Sequence, residues 1–263
     1  MLEEVISASG LNSPHIKSTT AIALLDLGIG CGNQSQAIAK FFSGLRCRNF
    51  RYVGITFNEL QARIASSKSK APRGADKTNV SFDIFHADAA IPRLWRPEVV
   101  RAVEALAEET FTERWVLGLD SFYHFVPSRE PIFRYAASKL VASIMAFDLT
   151  LNDAAPAWHK WTARAIGLMM NCPMHAFLTK QDYKRQLVNA GFTEELIQIN
   201  DITADVFPGL TMFIDNQAQR LSLYGISLGK YTMARRIFKW FYRSGSIRAV
   251  IVVARQKAPS KHK

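Results

Sequence analysis

The chain has 263 residues, 48% of them hydrophobic and 21% charged, the make-up of one compact domain able to bury a core without disulfides or metals. Three cysteines, Cys31, Cys47 and Cys172, are odd in number and form no CxxC pair, so neither a disulfide framework nor a thiolate metal site is indicated, and a reducing compartment is expected. The formal charge of +11 is local in large part: Lys230 to Lys263 hold ten Lys and Arg and no Asp or Glu, and a basic surface of this kind admits nucleic acid, an anionic membrane or an anionic substrate as partner.

Along the chain, the first twenty residues lack a basic start followed by an apolar run, and no apolar stretch reaches the ~18 residues of a spanning helix. The expected location is cytoplasmic, with peripheral membrane contact as the alternative. Short β-rich runs then alternate with longer segments of helical periodicity, which predicts a parallel sheet with crossover helices. Strands are expected at 21–27, 51–56, 80–85, 114–120 and 142–151, with helices at 34–42, 58–68, 97–109 and 129–140 between them. The last third reads differently. A helix at 159–171 stops before Pro173, a second at 179–192 carries Gly191 as its C-cap, and strands follow at 195–200 and 249–255. The long connection between those two strands predicts a folded cap. The expectation is a single α/β domain over 1–263: a Rossmann-like, seven-stranded, mostly parallel sheet with an antiparallel last strand, helical cap insertions at 152–178 and 202–246, and a basic tail at 256–263.

Glycines at 28, 30 and 32, between the first strand and first helix, allow backbone amides and a helix N-terminus to approach a ligand. Their GxGxG spacing differs from the GxGxxG of dinucleotide folds, and the second strand ends at Thr56 without the acid that would hold an NAD ribose. At the end of the fourth expected strand, Asp120-Ser-Phe-Tyr-His124-Phe occupies the place where open α/β sheets bind ligands. His124 can exchange a proton near neutral pH. Asp120 and Tyr123 are the other candidates for chemistry.

With these residues in view, the chain resembles the class I S-adenosylmethionine-dependent methyltransferases over about residues 20 to 255. DLGIGCGNQS resembles their first motif, HADAAIPRL the segment after their third strand, and LGLDSFYHF their fourth-strand motif. VGITFNELQARIA is similar to the VGIT variant of sterol, tocopherol and cyclopropane-forming enzymes, and NAGFTEELIQINDITADVFPGL to a late segment of such small-molecule enzymes. The resemblance implies S-adenosyl-L-methionine as cofactor, Gly28, Gly30 and Gly32 around its amino-acid and ribose portions, and Asp26 organising the loop. It also implies Asp88 and the Ala89 amide at the adenine. Thr56, Asn58 or Gln61 would stand in for the missing ribose acid. Asp120 and His124 match an acidic residue followed by histidine in the family's motif.

Methyl transfer from a sulfonium is an in-line displacement, so alignment and exclusion of water dominate and a base is needed only for a protonated nucleophile. Trp158, Trp161, Met169, Met170, Met174 and Phe177, with Phe207, Leu210, Met212 and Phe213, are candidates for an apolar acceptor pocket. The segment 231–243 reads as a basic amphipathic helix that packs on its own domain or meets a membrane. Two other functions stay open: a nucleic-acid methyltransferase or RNA-binding protein using the basic C-terminal region, against which no base-flipping motif of the NPPY type occurs, and a protein that binds the cofactor without methyl transfer. Because only about twenty residues precede the first strand, the cap is expected from later segments or from a partner.

Overall fold

The computed structural model describes residues 1–13, 16, 20–44, 49–69, 79–227 and 229–257. Cys47 and positions 258–263 of the basic tail lie outside the described residues. Seven strands, β1 (Ala21–Leu27), β2 (Asn49–Thr56), β3 (Asn79–His86), β4 (Glu113–Leu119), β5 (Ser143–Leu151), β6 (Ile197–Asp201) and β7 (Ile247–Ala254), form one sheet in the order β3-β2-β1-β4-β5-β7-β6. The first five are parallel, while β7 runs antiparallel between β5 and β6. Strand order therefore reverses at β1 and β4, which places a crevice at their carboxyl ends.

β1 is buried at every position, as a strand covered on both faces must be. Its side chains alternate between two cores. Ala23, Leu25 and Leu27 join Val99, Val103, Phe122, Phe133 and Tyr183 on one face, and Ile22 and Leu24 join Phe42, Tyr52, Trp115, Phe177, Phe207 and Phe241 on the other. The first face is covered by α4 (Pro97–Glu104), α5 (Glu130–Tyr135) and α7 (Lys180–Ala190), and the second by α1 (Leu2–Ser9), α2 (Asn33–Gly44), α6 (Ala157–Met169), α8 (Thr203–Ser222) and α9 (Gly229–Ser244). α3 (Glu59–Ser69) follows β2 and sends Ala65 into the second core.

The expected strands and crossover helices all form, with ends displaced by a few residues. Helix 97–109 stops at Glu104 and passes into a tighter turn over Ala105–Ala107, and helix 129–140 loosens into a wider turn over Ala136–Leu140. The long connection between β6 and β7 is the helical pair α8 and α9. α1 adds an element that no periodicity announced. It inserts Val5 and Ile6 into the second core, and Gly10, at φ 75°, ends it in the left-handed region. Among the described residues no helix is long and apolar enough to cross a membrane.

A glycine in β4 anchors the loop that follows. A Cβ at Gly118 would stand 2.5 Å from the Phe122 ring. That ring is wholly buried and packs edge-to-face on Phe125 and Phe133 at centroid distances of 5.4 and 5.2 Å. With no free direction for the ring, Gly118→Ala is expected to destabilise the fold by about 1–3 kcal/mol through overpacking. Urea unfolding measures this, and an unchanged midpoint would contradict the packing.

Candidate cofactor and active site

The turn after β1 is shaped by its neighbours. Gly28 has φ +81°, and a Cβ there would lie 2.6 Å from the Ser121 Cβ in the turn after β4. Gly28 N–H and Ile29 N–H both donate to the Ile55 carbonyl, at 2.8 and 3.2 Å, which hangs the turn on the end of β2. Gly32 faces elsewhere: at φ +77°, a Cβ would meet Ala65 of α3 at 2.8 Å, so this glycine lets α2 and α3 approach each other. Gly30, at φ +54°, has open space where a Cβ would stand.

Asp26 lies beneath the turn with no exposure. Its carboxylate accepts from the Tyr52 hydroxyl at 2.7 Å and from the Gln34 amide at 2.8 Å, and Ser35 lies 2.6 Å from the same hydroxyl. Strand end, first turn of α2 and β2 are thereby tied to one group. Burial raises the Asp26 carboxyl from 3.8 to about 7, against the lowering effect of the Tyr52 and Gln34 hydrogen bonds.

Thr56 ends β2 buried and donates through Oγ1 to Gln61 Oε1 at 3.0 Å, while Asn58 Oδ1 accepts from the Gln61 N–H at 3.1 Å and caps α3. After β3, Asp88 accepts from the Ala90 N–H at 2.9 Å through Oδ1, and its carbonyl accepts from the Trp95 indole at 2.7 Å. After β4, Asp120 adopts φ 58° and accepts a 2.5 Å hydrogen bond from the Tyr123 hydroxyl. Burial, then the adjacent Asp120 charge, push the Tyr123 phenol well up, so it keeps its proton and acts as a donor. His124 is exposed, with Nδ1 3.4 Å from the Asn171 carbonyl and 3.5 Å from Cys172 Sγ. Burial raises the Cys172 thiol to about 12, aided by Asp120 and Asp148, which keeps it neutral.

These turns enclose a cavity of about 430 Å³, within the roughly 300–1,000 Å³ of small-ligand sites. Of the expected site residues, Gly28, Gly30, Thr56, Gln61, Asp88, Ala89, Asp120 and His124 line it. Asp26, Gly32, Asn58 and Tyr123 do not line it. Phe57, Ser121, Phe125 and Val126 also line it and were not singled out from the sequence, although each lies within two residues of one that was. Ser121 Oγ is buried without a hydrogen-bond partner. None of the aromatic and methionine residues expected around an acceptor lines this cavity. Phe177 and Phe207 are core, whereas Leu210 and Phe213 line a separate space of about 660 Å³ between α1 and α8.

The loop over 120–129 is held from below and from the side. Arg129 and Asp148 form a 2.6 Å ion pair, both buried, and Arg129 also donates to the Ala176 carbonyl and lies over the Tyr183 ring at 4.8 Å. His175 bonds the Pro127 carbonyl. The segment after α6 is thus fastened to the loop that forms one wall of the cavity.

No family model and no curated protein matches the sequence. Solved structures do match. Phosphoethanolamine N-methyltransferase 2 of Haemonchus contortus, in complex with phosphomonomethylethanolamine and S-adenosylhomocysteine, superimposes with a TM-score of 0.68 at 12% identity over 97% of this chain and 53% of its own. The chain thus spans about half the length of that enzyme. A cyclopropane synthase of Mycobacterium tuberculosis gives a TM-score of 0.63 at 16% identity, covering 97% of this chain and 84% of its own. Geranyl diphosphate C-methyltransferase of Streptomyces coelicolor A3(2), in complex with Mg2+, geranyl diphosphate and S-adenosyl-L-homocysteine, gives 0.61 at 17%, covering 97% and 83%. The chain has the Rossmann-like fold that these enzymes share.

The Asp26 carboxyl gives a test of the buried hub. The folded protein holds this proton more tightly than the unfolded chain, so Asp26 costs no stability below about 4 and a growing amount as pH climbs towards about 7. Asp26→Asn is therefore expected to gain stability relative to the parent protein across that interval, by up to about 1.4 kcal/mol per pH unit. Paired urea unfolding curves without cofactor measure the difference; a pH-independent difference would contradict the assignment.

Proposed function

We propose that this chain is an S-adenosyl-L-methionine-dependent methyltransferase acting on a small lipophilic acceptor. The observation that carries this reading is the charge of the cavity: Asp88 and Asp120 line it, and no Lys or Arg does among the described residues. Two carboxylates favour a ligand bearing a sulfonium and an ammonium group. The pyrophosphate of a nicotinamide or flavin dinucleotide would instead meet like charge. The fold shared with methyltransferases and the GxGxG turn support the same choice of cofactor.

When bound, the cofactor supplies a methyl group on a positively charged sulfur. The chain's part is to position it, hold the acceptor in line and keep water out. Gly28 and Gly30 present backbone, Asp88 and Ala89 form the adenine end, and Thr56 with Gln61 offers a neutral polar pair to the ribose. Tyr123 is a positioning residue: its hydroxyl fixes the Asp120 carboxylate at the cavity. The Asn171 carbonyl beside His124 Nδ1 favours the tautomer with the proton on that atom. Nε2 is then free to take a proton from an acceptor hydroxyl or amine. Phe57, Phe125 and Val126 supply an apolar wall, with Phe57 75% exposed at the rim. The absence of a basic lining residue among the described residues also disfavours an acceptor that brings a phosphate to this point.

Calorimetry with S-adenosylhomocysteine and turnover with prenyl and sterol alcohols test the reading. The parent protein is expected to bind, and Asp88→Ala to bind about 10-fold more weakly, or about 1.4 kcal/mol. His124→Ala should retain binding and lose about 100-fold in turnover. No binding by the parent protein would overturn the cofactor assignment. Binding without turnover of any acceptor would point to a cofactor-binding protein, and turnover confined to small polar acceptors would overturn the lipophilic assignment.

A further inference from the structure

Helix α6 is turned inside out relative to an ordinary surface helix. Its buried positions are the small residues Ala163 and Gly167, the latter so close to the core that a Cβ would lie 2.4 Å from the Phe177 ring. Its large apolar residues face outward: Trp158, Trp161, Leu168 and Met169 are 64, 60, 49 and 75% exposed. With Ala165 they follow the three- and four-residue spacing of a single helical stripe. A contiguous exposed apolar surface marks an interaction site.

The neighbouring charge identifies the partner. Residues 154–180 and 229–263 contain no Asp or Glu. On α6, the Arg164 guanidinium lies 5.8 Å from the Trp161 ring centroid. On α9, Phe238 and Phe241 pack on Phe207 within the fold, while Met233, Arg236, Lys239 and Arg243 remain exposed. The two helices adjoin. The His159 and Trp240 rings meet at 5.9 Å, and the Asn152 side-chain amide, just before α6, donates to the Gly245 carbonyl, just after α9, at 2.8 Å. Indole rings beside Lys and Arg, with no carboxylate on either helix, match a headgroup boundary carrying negative charge.

We propose that α6 and the outer side of α9 dock on an anionic lipid bilayer, with Trp158 and Trp161 seated at the headgroup level. The turn that follows α6 reaches the cavity wall, where the Asn171 carbonyl meets His124. A lipophilic acceptor can therefore pass from the bilayer along the stripe to the rim. That route rests on the methyltransferase reading, whereas the docking does not.

Vesicles of phosphatidylcholine, with and without phosphatidylglycerol, provide the test by co-sedimentation with the full chain. Binding is expected only with phosphatidylglycerol present, and is expected to fall about 10-fold between low salt and about 0.5 M salt. W158A/W161A and R236Q/K239Q/R243Q should each weaken it about 10-fold. All five substituted side chains are exposed, and unchanged S-adenosylhomocysteine affinity in both variants separates this outcome from failure of the cofactor site. Brominated lipids should quench part of the tryptophan fluorescence of the parent protein. No binding to anionic vesicles at low salt, binding undiminished in both variants, or RNA binding that anionic vesicles fail to displace would overturn the proposal.

Discussion

The turn after β1 and the turn after β4 touch, and the cavity exists because they do. Gly28 is the point of contact: any larger residue would drive its Cβ into Ser121. The reversal of strand order at β1 and β4 opens the crevice, and the absence of a side chain at Gly28 lets its two rims close to the width of a small ligand. Gly118 extends the same constraint downward by admitting Phe122 beneath the second turn.

Around that contact the fold places groups that are costly to bury where they hold loops together. Asp26 ties β1, β2 and α2 from below the cavity, and Arg129 with Asp148 ties the 120–129 loop to β5 and to the segment after α6. A buried ion pair is weak evidence for net stability, but breaking one partner leaves an uncompensated charge. Both hubs therefore fix geometry more than they add free energy.

The sheet was legible because its strands carry long apolar runs between helical periodicities, and the glycine turn because backbone approach to a ligand demands its spacing. The seven strands and the crossover helices followed from those two signals. α1 was not legible, since eight residues without a capping side chain leave little pattern. The candidate site was legible to the level of turns, and less so to the level of side chains. Asn58 follows the cavity-lining Thr56 and Phe57 but caps α3, and Gly32 follows the cavity-lining Gly30 but serves the approach of α2 to α3. Tyr123 is one residue from His124 yet stands behind Asp120, because the short helical turn at 122–124 rotates successive side chains to different sides. The outward direction of the apolar residues of α6, away from the cavity, was not legible for a related reason. Helical spacing gathers residues on one face but does not say whether that face is inward, and here Ala163 and Gly167 take the inner side.

The central claim is that the crevice between Gly28, Asp88 and Asp120 holds the methyl donor. A crystal structure grown with S-adenosylhomocysteine tests it most directly. Density for the ligand in that crevice, with its adenine beside Asp88 and Ala89, is the predicted result. Density at another site, or an empty crevice at saturating ligand, would contradict it.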